Sequence, residues 1–297
     1  MYEYIEEEKG GVRLYGVRDF GLSHVFDCGQ CFRWNMEADG SYSGVAFGRS
    51  VNLSEGSGEK TGTILIKGSS AEDFENIWKK YFDLERDYGL IKNRLTADDP
   101  VMAEAVRFGG GIRLLNQDPW ETLISFIISQ NRNIPLIKKS VEEVSRLFGD
   151  PVEGWDGRTC YSFPTIESLA DLCEDDLAEC RLGYRTRYVI ETAGAVAENP
   201  GLLYDMTERS YREAFDYLRS FCGVGPKVAN CVLLFSMEKY SSFPVDVWVK
   251  RLMSILYGAP ESDAAAAQRL AADLFGDLGG FAQQYLFYYA RERGLGK

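Results

Sequence analysis

Two side chains that can do chemistry lie within nineteen residues of each other in the last third of the chain: the amine of Lys227 and the carboxylate of Asp246. Lys227 belongs to the run Leu218-Arg-Ser-Phe-Cys-Gly-Val-Gly-Pro-Lys-Val-Ala-Asn-Cys-Val-Leu-Leu-Phe235, and Asp246 ends Pro244-Val-Asp. An apolar segment stops at Gly-Val-Gly, and an apolar helical pattern begins directly after it. Glycines at 223 and 225 permit a tight turn whose backbone N–H groups no side chain obstructs. Pro226 suits a first helical position. A helix–Gly-x-Gly–helix hairpin of this kind offers amides and a positive helix terminus to a phosphate. A lysine must be neutral to attack, against an ordinary pKa of ~10.4; desolvation and the helix terminus would both lower it. The ionised carboxylate would stabilise a cationic transition state and assist proton transfers. The turn points to a phosphate backbone, and the pair to chemistry on the nucleotide. The Gly-Val-Gly-Pro-Lys string alone also fits a plain turn with a solvated lysine, so Pro244-Val-Asp246 carries the distinction.

The rest of the composition narrows the chemistry. His24 is the single histidine, which argues against a His-based triad, a multi-His metal site or a His base at the hairpin, and reads as structural. Seven cysteines, at 28, 31, 160, 173, 180, 222 and 231, form no disulfide framework and are expected to be free thiols in a reducing compartment. Cys28-Gly-Gln-Cys31 lacks the second ligand pair of a zinc site. No stretch approaches the ~20 apolar residues of a membrane span, and the acidic N-terminus lacks the features of a signal peptide. A cytoplasmic monomer is expected, nucleoid-associated in a bacterium. A net charge of −12 argues against a diffuse basic coat for nucleic acid. Phosphate contacts must then concentrate in backbone amides and in the clusters Arg132/Lys138/Lys139, Arg181/Arg185/Arg187 and Lys250/Arg251.

The elements that must position these groups change character near Asp98. From about residue 10 to 70 the chain reads as strands and hairpins: Cys31–Asn35 with Tyr42–Phe47 across Ala38-Asp-Gly-Ser41, then 50–54 with 63–67. Ala71–Phe82 has helical periodicity. Beyond Asp98, amphipathic helices are predicted over Pro100–Phe108, Pro119–Gln130, Pro135–Phe148, Ile166–Glu174, Tyr184–Glu198, Ser210–Phe221, Lys227–Ser236, Val247–Tyr257, Ala264–Leu274 and Phe281–Arg291. Gly279-Gly280 reads as punctuation. The fold class is α+β: an antiparallel β-sheet domain over 1–98, a helical domain over 99–204, and a helical domain over 205–297 carrying the hairpin (218–236) and a catalytic loop (244–247).

Several strings besides the hairpin carry a resemblance: Gly29-Gln-Cys-Phe-Arg-Trp34, Gly111-Ile-Arg-Leu-Leu-Asn-Gln-Asp-Pro119, Phe126-Ile-Ile-Ser-Gln-Asn-Arg-Asn133, Leu182-Gly-Tyr-Arg-Thr-Arg-Tyr188 and Phe281-Ala-Gln-Gln-Tyr-Leu-Phe287. With them the chain resembles, over about residues 20 to 290, an 8-oxoguanine DNA glycosylase of the helix-hairpin-helix, Gly-Pro-Asp superfamily. The hairpin alone names only the superfamily; the Gly-Gln-x-Phe-Arg-Trp string narrows it to the oxoguanine branch. No cysteine follows Cys231, so the four-cysteine iron–sulfur cluster of related branches has no ligands here. The alkyl-base branch lacks a lysine at the position of Lys227.

The resemblance implies a TBP-like N-terminal sheet, double-stranded DNA containing 8-oxoguanine as partner, no required cofactor, and a bifunctional glycosylase and abasic-site lyase. Lys227 would form a Schiff base at C1′ and Asp246 would assist. The flipped base would lie between Phe287 and Cys231, with Gln283 on its Watson–Crick edge, Pro244 nearby, and the Gly29 carbonyl accepting the N7–H that guanine lacks. DNA would be held by Asn131, Arg132, Asn133, Tyr184, Arg185, Gly223, Gly225, Val228 and Trp248. The carbonyls of Arg219, Phe221 and Val224 would hold K⁺ or Na⁺. Two positions depart from the eukaryotic pattern: Trp248 replaces a histidine, and Leu136 replaces the first of two arginines that read the opposite cytosine. Two alternatives stay open, an alkylated-base glycosylase and a non-catalytic hairpin module that only grips DNA.

Overall fold

The computed structural model describes residues 1–295. Six antiparallel strands form the N-terminal sheet: β1 (Tyr4–Glu8), β2 (Gly11–Tyr15), β3 (Trp34–Met36), β4 (Tyr42–Ala46), β5 (Arg49–Glu55) and β6 (Ile64–Lys67), in the order β1-β2-β6-β5-β4-β3. The two expected hairpins are both present, with Asn35 opposite Ser43 and Leu53 opposite Ile66. The strand β1 was not foreseen. Its side chains are mostly solvated, so it shows no alternation, and its partner β2 is what defines it. Buried aromatic rings pack under the sheet: Phe26 stacks on Trp34 at 4.2 Å between centroids, and Trp78 stacks on Phe82 at 5.8 Å. Trp78 and Phe82 come from the predicted 71–82 helix, which is helical throughout but widened to π geometry over Phe74–Trp78.

The remainder is helical, except for a small hairpin pairing Pro151–Glu153 with Thr159–Tyr161. Helix starts follow local chemistry. Asp99, Asp118 and Asn133 each cap a helix whose first turn holds a proline, and Ser210 with Glu213 forms a capping box. Pro119–Ile128 is apolar on nearly every face and is buried along its length, as a helix at the centre of a core must be. It packs on the hairpin's second helix, Pro226–Ser236, with Phe126 stacked on Phe235 at 5.6 Å.

The structure adds one helix and corrects one reading of the sequence. Tyr88–Thr96 is a helix, capped by Asp87 at the edge of the helical core. Gly279 and Gly280 do not punctuate; they open the last helix, Gly279–Arg293. A Cβ on Gly280 would lie 2.1 Å from Leu234 Cδ1, so the glycine pair admits a neighbouring helix at close range instead of ending one.

Candidate active site

The first wall of the site is built by the hairpin. Tyr211–Arg219 ends at Ser220, the chain turns through Gly223 at φ +74°, and Gly225 opens Pro226–Ser236 with no side chain capping it. A Cβ on Gly223 would sit 2.3 Å from the Tyr188 ring, so both the conformation and the close approach require glycine there. Gly225 leaves the first amides of the second helix uncovered by any side-chain cap. Val228 is buried, so only its backbone, not its side chain, can meet a ligand.

One residue into this helix, Lys227 Nζ lies over the Phe126 ring, 5.0 Å from its centroid. Asp246 is the N-cap of Val247–Tyr257, with its Oδ1 accepting from the Val249 N–H at 2.8 Å. Asp246 therefore holds a helix start while its side chain also borders the cleft. Cys28, Gly29, Phe126, Lys227, Cys231, Phe235, Pro244, Asp246, Gln283, Gln284 and Phe287 line that cleft together. Burial, with a contribution from Asp246, pushes the Cys231 thiol up against the opposing pull of Lys227, so it stays a neutral, polarisable wall at neutral pH. Gln283 is buried and its Oε1 has no hydrogen-bond partner among the described residues. An unpaired buried amide oxygen costs roughly 1–3 kcal/mol, a debt that a donor entering the cleft would relieve.

Gly29 approaches from the sheet side at φ +88°, where a Cβ would lie 3.3 Å from Phe287 Cε1. The carbonyls on either side of it are occupied: Cys28 O accepts from Gln284 Nε2 at 2.7 Å and Gln30 O from Gln117 Nε2 at 2.8 Å. Phe287 lies against this glycine, and the Arg291 guanidinium carbon lies 5.7 Å from its ring centroid.

A second group of residues gathers at the far end of Pro119–Ile128. Asn131 has φ +51°, and Asn133 caps Ile134–Phe148 through the Leu136 N–H at 3.0 Å. Leu136 itself is 52% exposed on the first turn of that helix. Arg132 donates to Ser140 Oγ at 2.6 Å. Arg185 is buried against backbone: Nε donates to Gln130 O at 2.7 Å and Nη1 to Leu182 O at 3.1 Å, with Tyr184 4.3 Å from its guanidinium carbon. In this state Arg185 buttresses the Gln130–Asn131 turn. Tyr184 is exposed beside Arg185, and Val247 and Trp248 are exposed directly after Asp246.

The remaining sequence candidates take structural places. His24 Nδ1 accepts from the Gly111 N–H at 3.0 Å, and burial holds its pKa below the ordinary value. All seven cysteines are free thiols, and no His/Cys/Asp/Glu cluster among the described residues could hold a metal. No helix among the described residues is long and apolar enough to cross a membrane. Sequence reasoning gave no role to Phe126, Cys28 or Gln284. Phe126 and Gln284 stand inside strings already singled out, but nothing local says which helix face meets the cleft.

The 8-oxoguanine DNA glycosylase N-terminal domain matches residues 14–123, and the HhH-GPD superfamily base excision DNA repair protein matches 124–276. The chain belongs to the 8-oxoguanine DNA glycosylase family. Its relatives include the N-glycosylase/DNA lyase OGG1 of Arabidopsis thaliana, 32% identical over 90% of this chain and 76% of that one. A probable N-glycosylase/DNA lyase of Methanothermobacter thermautotrophicus is 30% identical over 75% of this chain and 76% of its own length. Among solved structures, the Clostridium acetobutylicum 8-oxoguanine glycosylase/lyase bound to double-stranded DNA with cytosine opposite 8-oxoguanine superposes with a TM-score of 0.94. It is 43% identical and covers 99% of each chain. The sheet domain of this glycosylase and its helical region thus both have counterparts in the family.

Proposed function

We propose that this chain is a base-excision repair enzyme that removes 8-oxoguanine from duplex DNA and cuts the resulting abasic strand. The observation that carries the reading is that Lys227, Asp246, Gly29, Cys231, Gln283 and Phe287, drawn from four separate stretches of sequence, line one cleft. Its relatives' glycosylase and lyase names support the same activity.

In this reading the lesion leaves the stack and enters between Phe287 and Cys231. Pro244 closes one side, and Gln283 takes the Watson–Crick edge. Gly29 O accepts the N7–H, so guanine would set a lone pair against a buried acceptor, a penalty of ~1–3 kcal/mol. The C1′–N9 bond breaks with its electrons leaving on the base, and Lys227 Nζ bonds to C1′. Opening of the sugar ring gives a Schiff base. Loss of a C2′ proton then expels the 3′ phosphate by β-elimination. Asp246 stabilises the cationic sugar while the glycosidic bond is long.

DNA is held at two places: the hairpin amides around Gly223, Gly225 and Val228, and the group Asn131, Arg132, Asn133, Tyr184, Arg185 and Trp248. For Arg185 to touch a base it must exchange its bonds to Gln130 O. The hairpin carbonyls of Arg219, Phe221 and Val224 would hold K⁺ or Na⁺. Arg219 ends Tyr211–Arg219 and Phe221 follows two residues later, where the helix dipole favours a cation and oxygen-only donors suit a hard one; Phe221 O already accepts from the Val224 N–H at 3.1 Å. No cofactor is required for the chemistry. The enzyme would work as a monomer in the compartment that holds the DNA, which in a bacterium is the cytoplasm.

Borohydride trapping on an 8-oxoguanine duplex tests the proposal. The parent should give a covalent adduct, and Lys227→Gln should give none while still binding the damaged duplex. An adduct from Lys227→Gln would place the nucleophile elsewhere. Damage binding without any adduct from the parent would favour a module that only grips DNA.

A further inference from the structure

We propose that Gln284 is a positioning residue for lesion recognition, holding the Asp27–Gln30 turn so that the Gly29 carbonyl stays aimed into the cleft. The inference rests on the 8-oxoguanine reading above and goes beyond it, because it concerns a side chain that need not touch the base.

The turn is tied at every residue except Gly29. Arg291 Nη2 donates to Asp27 O at 2.5 Å, Gln284 Nε2 to Cys28 O at 2.7 Å, and Gln117 Nε2 to Gln30 O at 2.8 Å. The Gln30 side chain anchors the same turn from below. Its Nε2 donates to Val25 O at 2.9 Å and Arg113 O at 2.8 Å, and its Oε1 accepts from the Leu115 N–H at 2.9 Å. Three peptide planes around the glycine are therefore fixed by side chains from the helical region. A glycine at φ +88° has the backbone freedom that no other residue type has, and without those ties its carbonyl could swing away from a base.

Gln284 holds the central position among these ties. It is 2% exposed, and it bonds the carbonyl immediately before Gly29. It also follows Gln283 and precedes Phe287 on one helix, Gly279–Arg293. The helix that would present the base edge and the stacking ring thereby also sets the carbonyl that would read N7–H. A fraction of an ångström in the relation of these groups decides whether three contacts can form at once, so a rigid link between them acts on specificity.

Gln284→Met keeps the volume and removes the donor. The test is a comparison of two single-turnover rates in the same enzyme: release of 8-oxoguanine from a duplex, and strand cleavage of a preformed abasic duplex. Only the first uses the turn. We expect base release to fall by about tenfold, the size of one buried carbonyl losing its partner, while the abasic-strand rate stays within about twofold. Gln117→Met, which frees Gln30 O from the opposite side, should show the same split and serves if Gln284→Met does not fold. Equal rates in parent and variants would overturn the proposal, and so would a parallel fall of both rates, which means general loosening. If the parent itself releases no 8-oxoguanine while cutting abasic DNA, the underlying substrate reading has failed, and not the tie.

Discussion

Asp246 has two jobs that substitutions can separate. Its Oδ1 accepts from the Val249 N–H at 2.8 Å and caps Val247–Tyr257, and its charge borders the cleft that holds Lys227. Asparagine caps about as well as aspartate, whereas alanine costs ~1 kcal/mol. Asp246→Asn should therefore unfold within a few tenths of a kcal/mol of the parent. Asp246→Ala should lose about 1 kcal/mol, or roughly 1–2 °C in Tm for a chain of this size. The catalytic effect should be large in both. Losing one preorganised electrostatic group typically costs ~10²–10³ in rate, so Asp246→Asn should slow single-turnover base release by about that factor with its fold intact. Urea unfolding gives the first quantity, and quenched single-turnover excision of an 8-oxoguanine duplex gives the second. An Asp246→Asn enzyme with the parent's rate would remove the carboxylate from the chemistry. An Asp246→Asn enzyme destabilised as much as Asp246→Ala would mean that the cap depends on charge.

Three further outcomes follow from particular contacts. Leu136 is exposed where the eukaryotic pattern has an arginine. A bidentate arginine contributes ~1–3 kcal/mol of base discrimination, so rates opposite A, G or T should lie within roughly tenfold of the rate opposite C. Leu136→Arg should widen that gap, and four duplexes differing at one base measure both. Gly223→Ala adds a Cβ 2.3 Å from the Tyr188 ring at φ +74°, so stability should fall by about 3 kcal/mol from strain and overpacking. Affinity for undamaged duplex should fall with it, and an unaltered urea midpoint would contradict the geometry. Burial lifts the Glu121 carboxyl to about 7, with Asp118 and Glu142 adding to the shift and Arg33 opposing it. A raised carboxyl contributes stability fully present below its unfolded value and lost as pH rises through about 7. Glu121→Gln should therefore gain stability over the parent at pH 8 and not at pH 4, and thermal melts across that range decide it.

Local chemistry fixed those parts of the protein that depend on neighbours in sequence. Gly223, Gly225 and Pro226 specify the hairpin. Proline after Asp99 and Asp118 sets helix starts, as does the Ser210 capping box, because each acts within one turn of chain. Lys227 and Asp246 were legible for the same reason: one stands one residue into a helix, the other caps the next. Residues whose meaning depends on distant partners were not legible from periodicity. Gly29 and Phe287 come within van der Waals reach only when the sheet domain docks on the last helix, and no spacing rule spans 258 positions. Nothing local says that Gln284 must donate to Cys28 O, that Arg185 lies on Gln130 O, or that Gly280 makes room for Leu234. The strand β1 is defined by pairing with β2, since a solvated edge strand has no buried face to mark it. Sequence determined which groups could react, and tertiary packing decided which carbonyl, ring and amide they face. The first depends on bonding within a few residues of chain. The second depends on contacts whose entropy cost is met only when the whole core closes.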